Sequence, residues 1–280
     1  PVNFKDFRRV RFDPTNNQVS KNLQPITDYV IFDVGNDSFL DIVSKEKNSG
    51  FRVTNYNPDR LKKSHNKGIH KYCIARDFFE SDIVLSIPKF KTHEKTGITG
   101  ALKNIVGING DKDFLPHHRV GGTGFGGDCY PGRNYLRRLS EYFRDNANRN
   151  QGRRAYPIWI RLSDIFWKIS FPTLTQNLNA AWYGNDTTWR MVMDLNLIAL
   201  YGNVEGELSK KQQRTIFSLV DGIVAGQGNG PLYPKPLPLG FLGFSNNSAL
   251  SDLCFSNLMG FDPQNFPLLL SAQNHFLTKN

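Results

Sequence analysis

Cysteine is scarce: three in 280 residues, at positions 73, 129 and 254. That number and spacing exclude a disulfide framework and a Cys-x-x-Cys cluster. A reducing compartment is expected, and no iron–sulfur motif is present. Also lacking are an apolar run of about 18 residues, which a membrane-spanning helix needs, and a leading signal-peptide pattern; a cytoplasmic location is expected. Acidic residues are outnumbered 25 to 35, for a net charge of +10. Such an excess points to an anionic ligand, nucleic acid or an acidic membrane surface without choosing among them. Nucleic acid is disfavoured, because the basic stretch "NYLRRLSEYFRDNANRNQGRR" (134–154) also carries Glu141 and Asp145, and no recognition module appears.

What is present is enough for a core. Hydrophobic residues make up 39% of the chain and aromatics 12%, with 21 Phe, far from a disordered composition. The chain opens at Pro1 and not at Met, in the basic segment "PVNFKDFRRVRF". A single α/β domain over 1–280, truncated at its N-terminus, is the expectation.

Short runs rich in β-branched and aromatic residues predict strands at "DYVIFDVG" (28–35), "GFRVTNY" (50–56), "KYCIARD" (71–77) and "SDIVLSIPKF" (81–90). "SFLDIVSKE" (38–46) and "TGALKNIVGI" (99–108) carry apolar residues at helical spacing. Alternation of this kind favours an α/β fold, a mostly parallel sheet flanked by helices. Residues 133–149, 157–170 and 187–202 predict three helices, a helical insertion or subdomain over 133–202. In the second of these, Trp159, Leu162, Phe166 and Ile169 share a face; core packing accounts for it, and 157–180 is the candidate for a protein or membrane-surface contact. Residues 215–247 read as strand, Gly/Pro loop and strand, and 248–260 as a helix closed by Gly260.

The chemistry concentrates in "IPKFKTHEKTGITGALKNIVGI" (87–108). A strand feeds Lys89 and Lys91 into a loop, His93 follows, and a helix starts near Thr99 with Gly97 and Gly100 beside it. Loops at the carboxyl ends of parallel strands hold ligands. A helix N-terminus exposes unpaired amides that attract phosphate or carboxylate; Thr99 is a suitable cap, and Lys103, one turn in, can reach the same anion. The order is not that of a Walker A loop. His93, His117 and His118, with Asp111, Asp113 and Asp128, are candidates for acid/base work or a metal site, although no metal is specified and adjacent histidines in extended chain face opposite ways. Arg119 joins this group in the Gly- and Pro-rich segment 111–133, longer than the about 12–15 residues of most connectors. A second glycine loop, "VDGIVAGQGNGP" (220–231), offers Asp221, Gly228 and Asn229 to one crevice with the first. Asp194, Asp221 or Asp252 are candidates to orient these groups.

These segments resemble the domain of unknown function 362 family. Its hallmark is matched by Pro88, Lys89, Lys91, His93, Thr99, Gly100, Lys103, Asn104 and Gly107, and the likeness spans roughly 28–265. It looks closest to members found beside bacterial surface-polysaccharide genes. Some relatives carry ferredoxin-type clusters; this chain lacks the cysteines, so that role is not carried over. The family's usual N-terminal Lys-Pro-Asn strand is not seen before Asp28. A looser similarity is to lactate racemase, which would make Lys103 a cofactor-anchoring or phosphate-binding residue and His93 a ligand or acid/base. The resemblance supplies little function. The residues themselves point to an enzyme of unknown reaction class acting on an anionic small molecule, with His93, Lys103 and His117 as the candidate catalytic groups; the alternatives are a non-catalytic binding or assembly protein and a metal or organometallic cofactor protein.

Overall fold

The computed structural model describes residues 3–13, 18–20, 24–44, 50–170 and 180–277. The chain divides into two units, Pro1–Ala75 with Asn109–Thr188, and Arg76–Ile108 with Trp189–Asn280.

The second unit carries the motif-rich strand. Its six-stranded sheet is organised by one long strand, Thr215–Asn229. Ile83–Ser86 and Lys89–His93 run parallel to it. Tyr233–Leu237 and Phe241–Ser245 return along it antiparallel as hairpins, and Gly97–Thr99 folds back on Lys89–His93. The α/β class is therefore as the alternation implies, with the parallel pairs at the centre and antiparallel strands added by tight turns.

Two details differ from the sequence expectation. The presumed glycine loop 220–231 is mostly strand, because its glycines make room for neighbours: a Cβ at Gly222 would lie 2.1 Å from the Phe241 ring, and one at Gly226 2.8 Å from Lys91 Cβ. Lys89, Lys91 and His93 are likewise in a strand and not in a loop. Helices cover the inner face of this sheet. Phe255, on the helix Ser248–Leu258, sits between Phe90 and Phe241, with ring centroids 5.5 and 4.7 Å away, and Gly243 beneath it has no room for a Cβ.

In the first unit Tyr29–Asp33 and Ile69–Ala75 pair antiparallel. Phe51–Arg52 is a two-residue strand paired with His118–Arg119. The expected helix 38–46 is replaced by 3-10 turns at Gly35–Asp37 and Asp41–Val43; 45 and 46 lie outside the described residues. Helices Tyr135–Arg149 and Tyr156–Ile169, and Thr188–Tyr201, which belongs to the second unit from Trp189 on, fall where the apolar spacing puts them. The suggested contact region 157–180 is described only to 170 and at 180.

Two buried histidines make this unit pH-sensitive. His65 and His70 are cross-strand partners whose Nδ1 atoms lie 3.4 Å apart, and His65 Nε2–H donates to the Phe114 carbonyl at 3.0 Å. Burial, with His70 beside it, pushes the His65 pKa from 6.5 down to about 3. The unfolded chain therefore binds more protons below pH 6.5 than the folded one, so stability present above that pH is lost as pH falls toward 3. Chemical denaturation between pH 8 and pH 4 is expected to show stability falling below about pH 6.5, by up to about 1.4 kcal/mol per pH unit from this group. His65→Gln, which keeps a donor for Phe114 but does not titrate, should make the decline shallower.

Candidate functional site

The Ile83–Ser86 and Lys89–His93 strands are one line interrupted at Pro88. The register against the long strand is continuous from Ser86, opposite Ser218, to Lys89, opposite Asp221, and then shifts, so that Lys91 stands opposite Gly226. Side chains two apart share a face, so Ile83, Leu85, Ile87 and Lys89 lie exposed on the outer side while Phe90 turns inward, fully buried; Lys91 and His93 continue the alternation but are half-buried and buried.

Lys89 forms an ion pair with Asp221 across the sheet. That hydrogen bond, with the Ile223 amide, holds the Asp221 carboxyl below its usual range. Lys91 Nζ donates to the Pro231 carbonyl at 3.1 Å, Thr92 Oγ1 donates to the Gly228 carbonyl at 2.9 Å, and the hairpin tip is thereby bound to the basic strand. Gly228 has φ +79° and open space where a Cβ would stand; Asn229 beside it is exposed. His93 is buried, and its Nδ1 accepts the Lys95 amide at 3.1 Å, which places the proton of the neutral ring on Nε2. Thr99 stands directly opposite Lys91, its Oγ1 buried with no hydrogen-bond partner.

The helix start is built differently from the expectation. The α-helical turn is Ala101–Asn104, continued by a 3-10 turn Ile105–Ile108, and the N-cap is Gly100, not Thr99. Its exposed amides already have an anion. The fully buried Asp252 accepts Ala101 N–H at 2.6 Å with Oδ1 and Leu102 N–H at 3.0 Å with Oδ2. Burial pushes the Asp252 carboxyl up to about 7, against the two amides, which favour its charged form. The glycines serve this packing: a Cβ at Gly100 would lie 2.1 Å from Asp252 Oδ1, and one at Gly97 2.0 Å from the Phe266 ring. Lys103 is half-buried on the same turn, and the exposed Asn104 donates from Nδ2 to Ser86 Oγ at 2.8 Å.

The residues expected to form one site fall in both units. His117, His118 and Arg119 belong to the first, where they are held by its scaffold. The His117 carbonyl accepts from Asn185 Nδ2 at 2.9 Å and Thr188 Oγ1 at 2.7 Å, and its ring Nδ1 donates to the Leu115 carbonyl at 2.7 Å. Asp128, fully buried, receives the Arg119 amide and Thr187 Oγ1. Asp111 pairs with Arg9 and Asp113 with Arg60, each at 2.7 Å. These carboxylates hold loops and neighbouring strands, which accounts for their positions without a metal. Among the described residues no group of three or more His, Cys, Asp or Glu is arranged to hold a metal ion.

Two features carried no sequence signal. Glu141, buried on the helix Tyr135–Arg149, accepts the Gly121 amide at 3.0 Å, and burial pushes its carboxyl up to about 7. It lines a cleft of only about 20 Å³ with Arg52, His118 and Asp145, room for a water and not for a substrate. In the second unit a polar cleft of about 140 Å³ is lined by Leu102, Asn196, Gln212 and Asn247 among others.

Basic strand, glycine-tipped hairpin and internally capped helix make this an α/β protein with an unusual strand end. The chain belongs to the family described as Domain of unknown function (DUF362), whose model matches residues 39–257. No curated protein and no solved structure matches it. No helix among the described residues is long and apolar enough to cross a membrane.

The cap is testable by substitution. Asp252→Asn leaves one helix amide facing an NH₂ group and is expected to cost about 1–3 kcal/mol of stability in chemical denaturation, the range for an unsatisfied buried donor. Gly100→Ala should be destabilising as well, through the clash with Asp252. An unchanged midpoint in Asp252→Asn would contradict the cap.

Proposed function

We propose that the outer strand row Lys89, Lys91 and His93 binds an anionic small molecule, phosphorylated or carboxylated, and that the protein is an enzyme acting on it. The observation that carries this reading is the convergence on one face of two ammonium groups, a histidine with its proton on Nε2, and the unpartnered buried hydroxyl of Thr99 opposite Lys91. A buried polar atom without a partner is uncommon in a folded protein, and a ligand oxygen would satisfy it.

Charge supports the same ligand class. Two lysines against Asp221 leave one unit of positive charge, and an ammonium has three N–H groups, of which Lys91 commits one to Pro231. Gly228 and Asn229 add open backbone at the hairpin tip. His93 is the group suited to move a proton. In this reading the helix amides at Ala101 and Leu102 position the strand and do not touch the ligand, and Lys103 acts from the same turn. A phosphorylated or carboxylated sugar, or its nucleotide derivative, in cytoplasmic surface-polysaccharide synthesis is the substrate class and setting proposed. Geometry speaks against an organometallic cofactor cradled by Gly97 and Gly100, because Phe266 and Asp252 fill those positions.

Thermal shift against a panel of phosphosugars, sugar nucleotides and small carboxylates should give at least one compound that raises the unfolding temperature, since a ligand selective for the folded state must do so. Lys91→Ala is expected to weaken that compound tenfold or more in calorimetry, about 1.4 kcal/mol. His93→Gln should abolish turnover while leaving affinity within a few fold. No stabilising anion, or unchanged affinity in Lys91→Ala, overturns the reading. Binding without turnover in the wild type would leave the protein a non-catalytic binder.

A further inference from the structure

The same strand line that carries the lysines begins as an apolar row. On the outer face of the second unit's sheet lie Ile83, Leu85 and Ile87, then Ile223 on the long strand, and Leu242 and Phe244 on the returning hairpin, each 50–67% exposed. Register places them side by side: Leu85 faces Phe217, Phe244 faces Leu219, and Leu242 faces Asp221. Phe217 and Phe244 stack at 5.4 Å with ring planes 12° apart. All-parallel sheets are covered on both faces, whereas antiparallel ones often leave one face to water; this sheet mixes the two, with its parallel pairs at the centre. Here the helix Ser248–Leu258 packs on the inner face, while the outer side chains named above are exposed among the described residues.

We propose that this face is the interface of a homodimer, in which two copies pack sheet against sheet about a two-fold axis. Three observations favour a second copy over another occupant. Six side chains at this exposure present on the order of 700 Å² of apolar surface, close to the roughly 800 Å² each partner contributes to a standard interface. An area of that size exceeds the roughly 300–600 Å² of the largest apolar patch on a typical monomer. The charge at its edge is self-complementary: Lys89 and Asp221 stand side by side, and a two-fold rotation brings an identical pair of opposite sign arrangement to the rim, as an isologous interface requires. An acidic or basic partner would find no such balance. The result is a four-layer arrangement, helices outside and two sheets within, with the basic row of each copy emerging at the edge of the interface.

The test is the solution mass of the full chain. Sedimentation equilibrium at about 50 μM should give twice the 31.9 kDa protomer mass. Leu85→Lys and Phe244→Lys, at positions already half or more exposed in the protomer, should each shift the dissociation constant by tenfold or more toward monomer, with the thermal unfolding transition retained. Ile42→Lys, an equally exposed position in the first unit, should leave the dimer intact. In the wild type, deuterium uptake by the Phe241–Ser245 strand should fall as protein concentration rises, a readout independent of any variant. A monomeric wild type overturns the proposal, including one that binds anionic vesicles or another protein through this face. A dimer undisturbed by both lysine substitutions, with uptake in that strand independent of concentration, overturns it too. Loss of ligand binding in Lys91→Ala has no bearing on either result.

Discussion

Asp252 receives two backbone amides, from Ala101 and Leu102, across 150 residues of sequence, and much of the second unit depends on that contact. A four-residue helical turn has almost no intrinsic stability, because nucleation costs more than one turn of hydrogen bonds returns. A carboxylate at its N-terminus satisfies the orphan amides and complements the helix dipole. It also ties the turn to the Ser248–Leu258 helix, whose Phe255 fills the core beneath the sheet. The glycines around the turn follow from this: Gly100 leaves room for the carboxylate and Gly97 for Phe266.

The consequence for function is a redistribution of roles. A glycine-flanked helix start preceded by lysines has the look of a phosphate loop, and the helix amides are the natural place to put an anion. Here that place is filled from within. The proposed anion site therefore rests on the side chains of the preceding strand, where Thr99 stands opposite Lys91, and on the hairpin tip that Thr92 binds through the Gly228 carbonyl. The strand line changes character at Pro88, with exposed apolar side chains before it and lysines after it.

What could be read from the residues was mainly what local pattern determines. The helices at 133–149, 157–170 and 248–260 and the strand character of 71–77 follow from apolar spacing and β-branched content, and lie within a few residues of their observed bounds. Pairing direction is a long-range property, so the antiparallel match of Tyr29–Asp33 with Ile69–Ala75 was not visible in strand and helix alternation. Glycine was the misleading signal. At 222 and 226 it marks close approach of Phe241, Lys91 and Pro234 within a sheet, which is indistinguishable in sequence from a loop. The motif lysines were legible as chemistry, whereas Asp252 as the cap was not, since nothing local to it says which amides it will meet. Glu141 read only as a surface acid on a basic helix; its burial depends on Gly121, which lies in a Gly-rich segment with no periodicity to place it.

The central claim, that the helix amides are internal and the strand row is the anion site, is tested most directly by following backbone amide resonances while inorganic phosphate is added. The account predicts that Gly228, Asn229 and the residues around Lys91 shift while Ala101 and Leu102 stay fixed, their amides held by Asp252. Shifts centred on Ala101 and Leu102, with the hairpin tip unmoved, would contradict it.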